Sequence, residues 1–178
     1  MHLQRVLLTC SLVVASPVSC SPETMQPAQA EACVEGPSDQ DVPIREAVVR
    51  YFIARFTAAA RKPPSVYFIG VDDGDSGNVE FFWDPPQSLL ERLAHSRPKV
   101  QPYSVSIDAT KNGRLSYSRT HDYAVLVVTR RICWLTDKSV QLDAERYFFP
   151  LIGAGYTVRL DFVDNLWVVH DFNETWIE

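Results

Sequence analysis

YTVRLDFVDNLWVVHDF, residues 156–172, reads as two runs of alternating side chains hinged at Asp164-Asn165. A period of two sends successive side chains to opposite faces of a strand. Asp-Asn between two such runs is the signal for a tight hairpin turn. With a two-residue loop, Val163 pairs with Leu166, Asp161 with Val168, Arg159 with His170 and Thr157 with Phe172. One face then presents Arg159, Asp161 and His170 together. The other carries Tyr156, Val158, Leu160, Phe162, Trp167 and Val169, with Asp171 as its misfit. A slip of one residue would exchange the faces, so the aliphatic and aromatic set fixes the register. The dry face needs something to cover it.

That cover is supplied upstream. Asp41 is placed to cap a helix, and VPIREAVVRYFIARFTAAARK follows it. Ile44, Val48, Val49, Phe52, Ile53 and Phe56 have the three-four spacing of an amphipathic helix, with Arg45, Glu46, Arg50 and Arg55 on the other side. Lys62-Pro63-Pro64 ends it. SVYFIGV (65–71) reads as a strand, and FFWDPPQSLLERLAHS as a turn entering a short helix over 86–95, begun by Asp84 or Pro85. Further strands are predicted over 100–107, 122–134, 139–149, 155–163 and 166–173. DYAVLVVTRRICWL is the longest apolar run and rich in β-branched residues, so it belongs in the centre of the sheet. Thr136-Asp137-Lys138 and Lys111-Asn112-Gly113 supply turns. The expected fold is α+β: a long N-terminal helix on a curved antiparallel sheet of five to six strands, plus one short helix, as a single domain over 41–178.

This element order resembles the cystatin-like or nuclear-transport-factor-2-like cone fold over 41–178, and Leu166-Trp167-Val168-Val169 after the turn is similar to the closing hairpin of such domains. The resemblance implies a small-molecule cavity on the concave side of the sheet, beside the helix. Members similar to ketosteroid isomerase place an Asp base and a Tyr or acid donor there, with pKa values shifted by desolvation. Carried onto this chain, it implies Asp171 as a buried base, with Tyr156 or Tyr123 nearby. The residues also support a plainer reading, in which Arg159, Asp161 and His170 form an exposed cross-strand charge network and Asp171 reaches solvent.

The first twenty residues, MHLQRVLLTCSLVVASPVSC, have one basic residue, Arg5, an apolar run from Val6 to Ala15, then small residues. That is the layout of a secretory leader, and the run is too short for a spanning helix. Pro17-Val18-Ser19-Cys20 resembles a bacterial lipoprotein box, which implies acylation at Cys20 and a membrane attachment through that anchor alone. Cleavage after Ala15 would instead give a soluble periplasmic or secreted protein. Residues 21–40, rich in Pro, Ser, Gln, Glu and Ala, read as a flexible tether. Of four cysteines, Cys10 and Cys20 belong to the leader, leaving Cys33 and Cys133 as a candidate disulfide in an oxidising compartment.

With 17 basic and 22 acidic residues and no basic run, the chain is a poor match to nucleic acid. VDDGDSGN (71–78) has alternating Asp and Gly but lacks the helix and the final glutamate of a calcium loop. His121-Asp122 and His170-Asp171 repeat a dipeptide, but neighbours in a strand point opposite ways and cannot share one ion. No metal, other cofactor, nucleophile elbow or phosphate loop is expected. Trp83, Trp134, Trp167 and Trp176, with Tyr67, Tyr103, Tyr117 and Tyr147, give aromatic surface for recognition. The leading expectation is an exported, non-enzymatic domain binding a protein partner or small ligand. The alternative is a cone-fold isomerase or dehydratase acting on a small hydrophobic substrate, and a third reading is a homodimer through the open sheet.

Overall fold

The computed structural model describes residues 33–34, 36–72, 82–106, 124–148 and 152–177. Cys20, the leader, Asp73–Asn78, His121-Asp122, Tyr123, Tyr117 and the loop at Lys111 lie outside them. α1 spans Asp41–Ala59, β1 Val66–Val71, α2 Gln87–Leu93, β2 Lys99–Pro102, β3 Ala124–Thr136, β4 Ser139–Phe148, β5 Ile152–Val163 and β6 Leu166–Ile177. The fold is α+β, with six strands among the described residues forming one sheet in the order β2-β1-β3-β4-β5-β6.

The sheet is mixed, not antiparallel throughout. β1 runs parallel to both β2 and β3, while β3, β4, β5 and β6 form an antiparallel meander. The passage from β1 through α2 to β2 returns the chain to the same end of the sheet, which is what a parallel neighbour requires. VYFIGV carried the clue. Its six residues are all buried, because the sheet is covered on both faces at this end. Tyr67 and Ile69 join the main core with α1 and α2, whereas Val66 and Phe68 join a second core under Tyr103 and Phe82. The expected strand over 100–107 is correspondingly short and passes into a 3-10 turn at Tyr103–Ser106.

α1 lays Ile44, Val48, Val49, Phe52 and Ile53 against the meander, meeting Val140, Leu142, Tyr156, Val158, Leu160 and Trp167. One residue breaks its pattern. Arg45, expected on the wet face, is 4 % exposed. Two residues of β3, Arg130 and Arg131, bulge opposite the single Asp143 of β4. Arg45 reaches into that bulge and donates from Nη1 to Thr129 Oγ1 (2.8 Å) and to the Thr129 and Arg130 carbonyls (both 3.1 Å). A buried carbonyl released from the ladder needs a donor, and a long arginine can bring one. The helix cap also differs: Asp41 is the first helical residue and Gln40 takes the cap position without a side-chain bond to the helix. Asp41 still suits the positive end of the helix dipole.

Cys33 and Cys133 are at disulfide distance, joining two residues 100 apart in sequence. Closing such a loop removes unfolded-state entropy corresponding to about 4–5 kcal/mol in chain-entropy treatments. The bond fastens the segment before α1 to the outer end of β3. Val34 accepts a backbone hydrogen bond from Trp134 (3.1 Å), and Gly36 lies against the Trp134 indole with no room for a Cβ. Residues 33–34 and 36–40, placed in the tether on composition, are thus held against the domain.

Candidate functional site

The β5–β6 hairpin turns at Asp164 and Asn165, both with positive φ (50° and 64°), as a two-residue loop of the primed type requires. Val163 faces Leu166 and Asp161 faces Val168. The expected register holds as far as Leu160, which pairs with Val169, and then fails: Arg159 pairs with Asp171, so His170 is an extra residue bulged out of β6. The bulge reverses the facing of the residues that follow it, Asp171 to Glu174, until a second irregularity at Thr175 restores it. Phe172, expected beside the charges, turns inward and stacks on Tyr156 at 4.5 Å, with Phe52 edge-on to Tyr156 at 5.4 Å. Asp171, expected as the misfit of the dry face, turns outward.

Asp171 and Tyr156 therefore lie on opposite faces and do not assemble into an acid–base pair. Asp171 is exposed and its carboxylate accepts from the Phe172 backbone N–H and from Asn173 Nδ2, both at 2.9 Å. Tyr156 is 3 % exposed in the core. Burial, foremost, pushes its phenol pKa up. The remaining candidates are spread over the open face. Arg159 Nε donates to Ser139 Oγ at 3.3 Å, and His170 Nδ1 stands 3.6 Å from Asp161 Oδ2. His170 and Asp161 keep 68 % and 34 % of their side-chain surface in solvent, so their attraction is weak.

Farther along the same face lies a set of ionised groups that alternation alone did not single out. Arg130 Nη1 donates to Asp72 Oδ2 (2.6 Å), and its Nη2 and Nε both donate to Glu145 Oε1 (2.7 and 3.0 Å). Tyr147 donates to the other Glu145 oxygen at 2.6 Å. Burial works against the Arg130 charge, but the hydrogen bonds and charge of Glu145, then the charge of Asp72, outweigh it and raise its pKa. A cavity of about 240 Å³ beside this network is bounded by Asp143, Thr157 and Trp176. Asp143 already accepts from Thr157 Oγ1 at 2.9 Å, so these groups satisfy one another.

The larger concavity, about 490 Å³, opens where the disulfide-held segment meets the sheet. Val34 and Pro37 form one wall, and Trp134, Phe162 and Trp167 the rest, with Gln40 and Asp137 among its few polar groups. The rings are set at angles. Trp134 and Trp167 meet edge-to-face at 85°, with centroids 5.6 Å apart, and Phe162 lies 5.1 Å from Trp167 at 50°. Trp167 Nε1 donates to Gln40 Oε1 at 3.3 Å, tying β6 to the entry of α1. Val163 and Leu166, at the hairpin tip next to Phe162 and Trp167 in the chain, are half or more exposed. Trp134 and Trp167 were legible as aromatic candidates, but their convergence depends on the Cys33–Cys133 link and on the hairpin register. Arg159, Asp161, His170, Asp171 and Tyr156 do not line this groove.

Among the described residues no helix is long and apolar enough to cross a membrane. Nor do three His, Cys, Asp or Glu side chains among them gather as metal ligands. No protein-family model matches the chain, no curated protein matches it in sequence, and no solved structure matches it in fold.

Proposed function

We propose that the protein is an exported binding domain that takes the apolar part of a ligand in the groove between Val34, Pro37, Trp134, Phe162 and Trp167. The observation that carries this reading is the groove itself, an aromatic-walled concavity of about 490 Å³ open to solvent beside an exposed hairpin tip. Sites of this size with few polar groups favour small apolar ligands or one side chain of a partner. Burying such a group in the groove yields roughly 25 cal/mol per Å² of apolar surface removed from water.

Export is supported by the leader-like residues 1–20 and by the Cys33–Cys133 pair, since disulfides persist in oxidising compartments. In the fuller form of the proposal Cys20 is acylated and residues 21–32 connect that anchor to the domain. A helix packed on the β3–β6 meander is compatible with a cone fold, while the parallel neighbours of β1 depart from the expected all-antiparallel sheet.

The binding arm is tested by titrating hexanol or benzyl alcohol into the purified domain while following tryptophan emission. A saturable change that is lost in Val34→Asp supports the groove, because Val34 is 59 % exposed and its replacement leaves the core intact. No saturable change, or one that survives Val34→Asp, overturns it. Mass spectrometry of the mature N-terminus tests the anchor: an acylated Cys20 is expected, and a free amino terminus elsewhere contradicts it.

A further inference from the structure

We propose that the occupant of this groove is an organic cation carrying a quaternary ammonium group, such as the trimethylammonium head of a small soluble molecule. The proposal rests on the groove being the binding site and adds the chemistry of what enters it.

Trp134 and Trp167 meet edge-to-face at 85° and Phe162 is tilted 50° from Trp167, so the three rings line the groove at differing angles and not as a flat stack. Each aromatic face carries the negative lobe of its quadrupole, and tryptophan attracts a cation best of the aromatic side chains. Trp167 is also oriented. Its N–H is committed to Gln40 Oε1, which fixes the ring plane before any ligand arrives.

Charge points the same way. Asp137, in the β3–β4 turn, is a carboxylate among the lining residues, and none of those residues is a lysine or arginine. The chain as a whole carries a net charge of −5. An anionic ligand would meet a carboxylate and ring faces there and no cation among the lining groups.

Desolvation then separates the classes of cation. A primary ammonium brings three N–H donors that must each find an acceptor when water is removed. Among the lining side chains Gln40, Thr136 and Asp137 supply polar oxygens, and two of these are already engaged: Gln40 Oε1 accepts from Trp167 and Thr136 Oγ1 from the Lys138 backbone N–H. A quaternary ammonium has no N–H to satisfy and spreads its charge over methyl groups that pack on rings. The volume exceeds what such a head alone would fill, leaving space for a short aliphatic stem along Val34 and Pro37.

The test compares choline with its neutral carbon isostere, dimethylbutanol, on the full mature chain by tryptophan emission and by NMR of the indole N–H signals. Choline is expected to bind about tenfold more tightly than the isostere. Asp137→Asn is expected to weaken choline several-fold and to narrow that gap. Asp137 lies in an exposed turn, so the variant folds. Equal affinities would overturn the cation inference while leaving the groove as an apolar site. Silence of both probes, and of hexanol, would overturn the groove as well. If phosphatidylcholine vesicles alone perturbed the indoles, a membrane headgroup would replace the soluble ligand and the proposal would fail.

Discussion

Glu145 on β4 and Asp161 on β5 point to the same side of the sheet, yet they live under different conditions. Glu145 retains 9 % of its side-chain surface in solvent, under the cover that Phe82 and Tyr103 extend over the β1–β3 end. Asp161, toward the hairpin tip, retains 34 % and has a histidine at 3.6 Å as its ion partner. One face of one sheet is thus roofed at one end and wet at the other. The roofed end demands that each charge be matched, and Arg130 and Tyr147 do this for Glu145, while Asp72 shares the same guanidinium. The open end makes no such demand, so charges there can assemble without any pocket to serve.

Three substitutions probe that contrast. Phe68→Ala, beneath the roof and 2 % exposed, should remove about 3–5 kcal/mol of stability in denaturant unfolding. A loss below about 1 kcal/mol would mean that the second core is not packed as described. Glu145→Ala removes one of the two carboxylates that hold the Arg130 guanidinium and the acceptor of the Tyr147 hydroxyl. Because Arg130 keeps 30 % of its side-chain surface in solvent, the expected loss is smaller, about 1–3 kcal/mol. Asp161→Asn, at the open end, should cost well under about 1 kcal/mol, and that small effect should shrink further in high salt. Equal costs for the two carboxylates would erase the distinction between the ends.

The contrast also explains what could be read from residues alone. α1, both helices' placement and the two-residue turn at Asp164-Asn165 follow from local periodicity and turn chemistry, which act over a few residues. VYFIGV announced two covered faces by its unbroken apolar run, but alternation in its neighbours drew the whole sheet as antiparallel. The bulge at His170 left a faint trace: inward residues recur at Trp167, Val169 and then Phe172, a step of two followed by a step of three. Taken as strict alternation, that break turned Phe172 outward and Asp171 inward, which created the apparent buried base. Arg45 could not be read correctly, because its acceptors, the Thr129 hydroxyl and the Thr129 and Arg130 carbonyls, lie at a bulge 84 and 85 residues away. The groove depends on still longer links. Trp134 and Trp167 converge across two strands, and Val34 and Pro37 reach them through a disulfide whose partners are 100 residues apart.

The central claim is that ligand enters the groove walled by Val34, Pro37, Trp134, Phe162 and Trp167 and not over the charged face of the hairpin. Its most direct test is an NMR titration of the mature domain with hexanol, following the indole N–H of each tryptophan and the His170 ring. Saturable shifts of Trp134 and Trp167, with Trp176 and His170 unmoved, are the predicted result. Shifts centred on Trp176 or His170, or none at any indole, would contradict it.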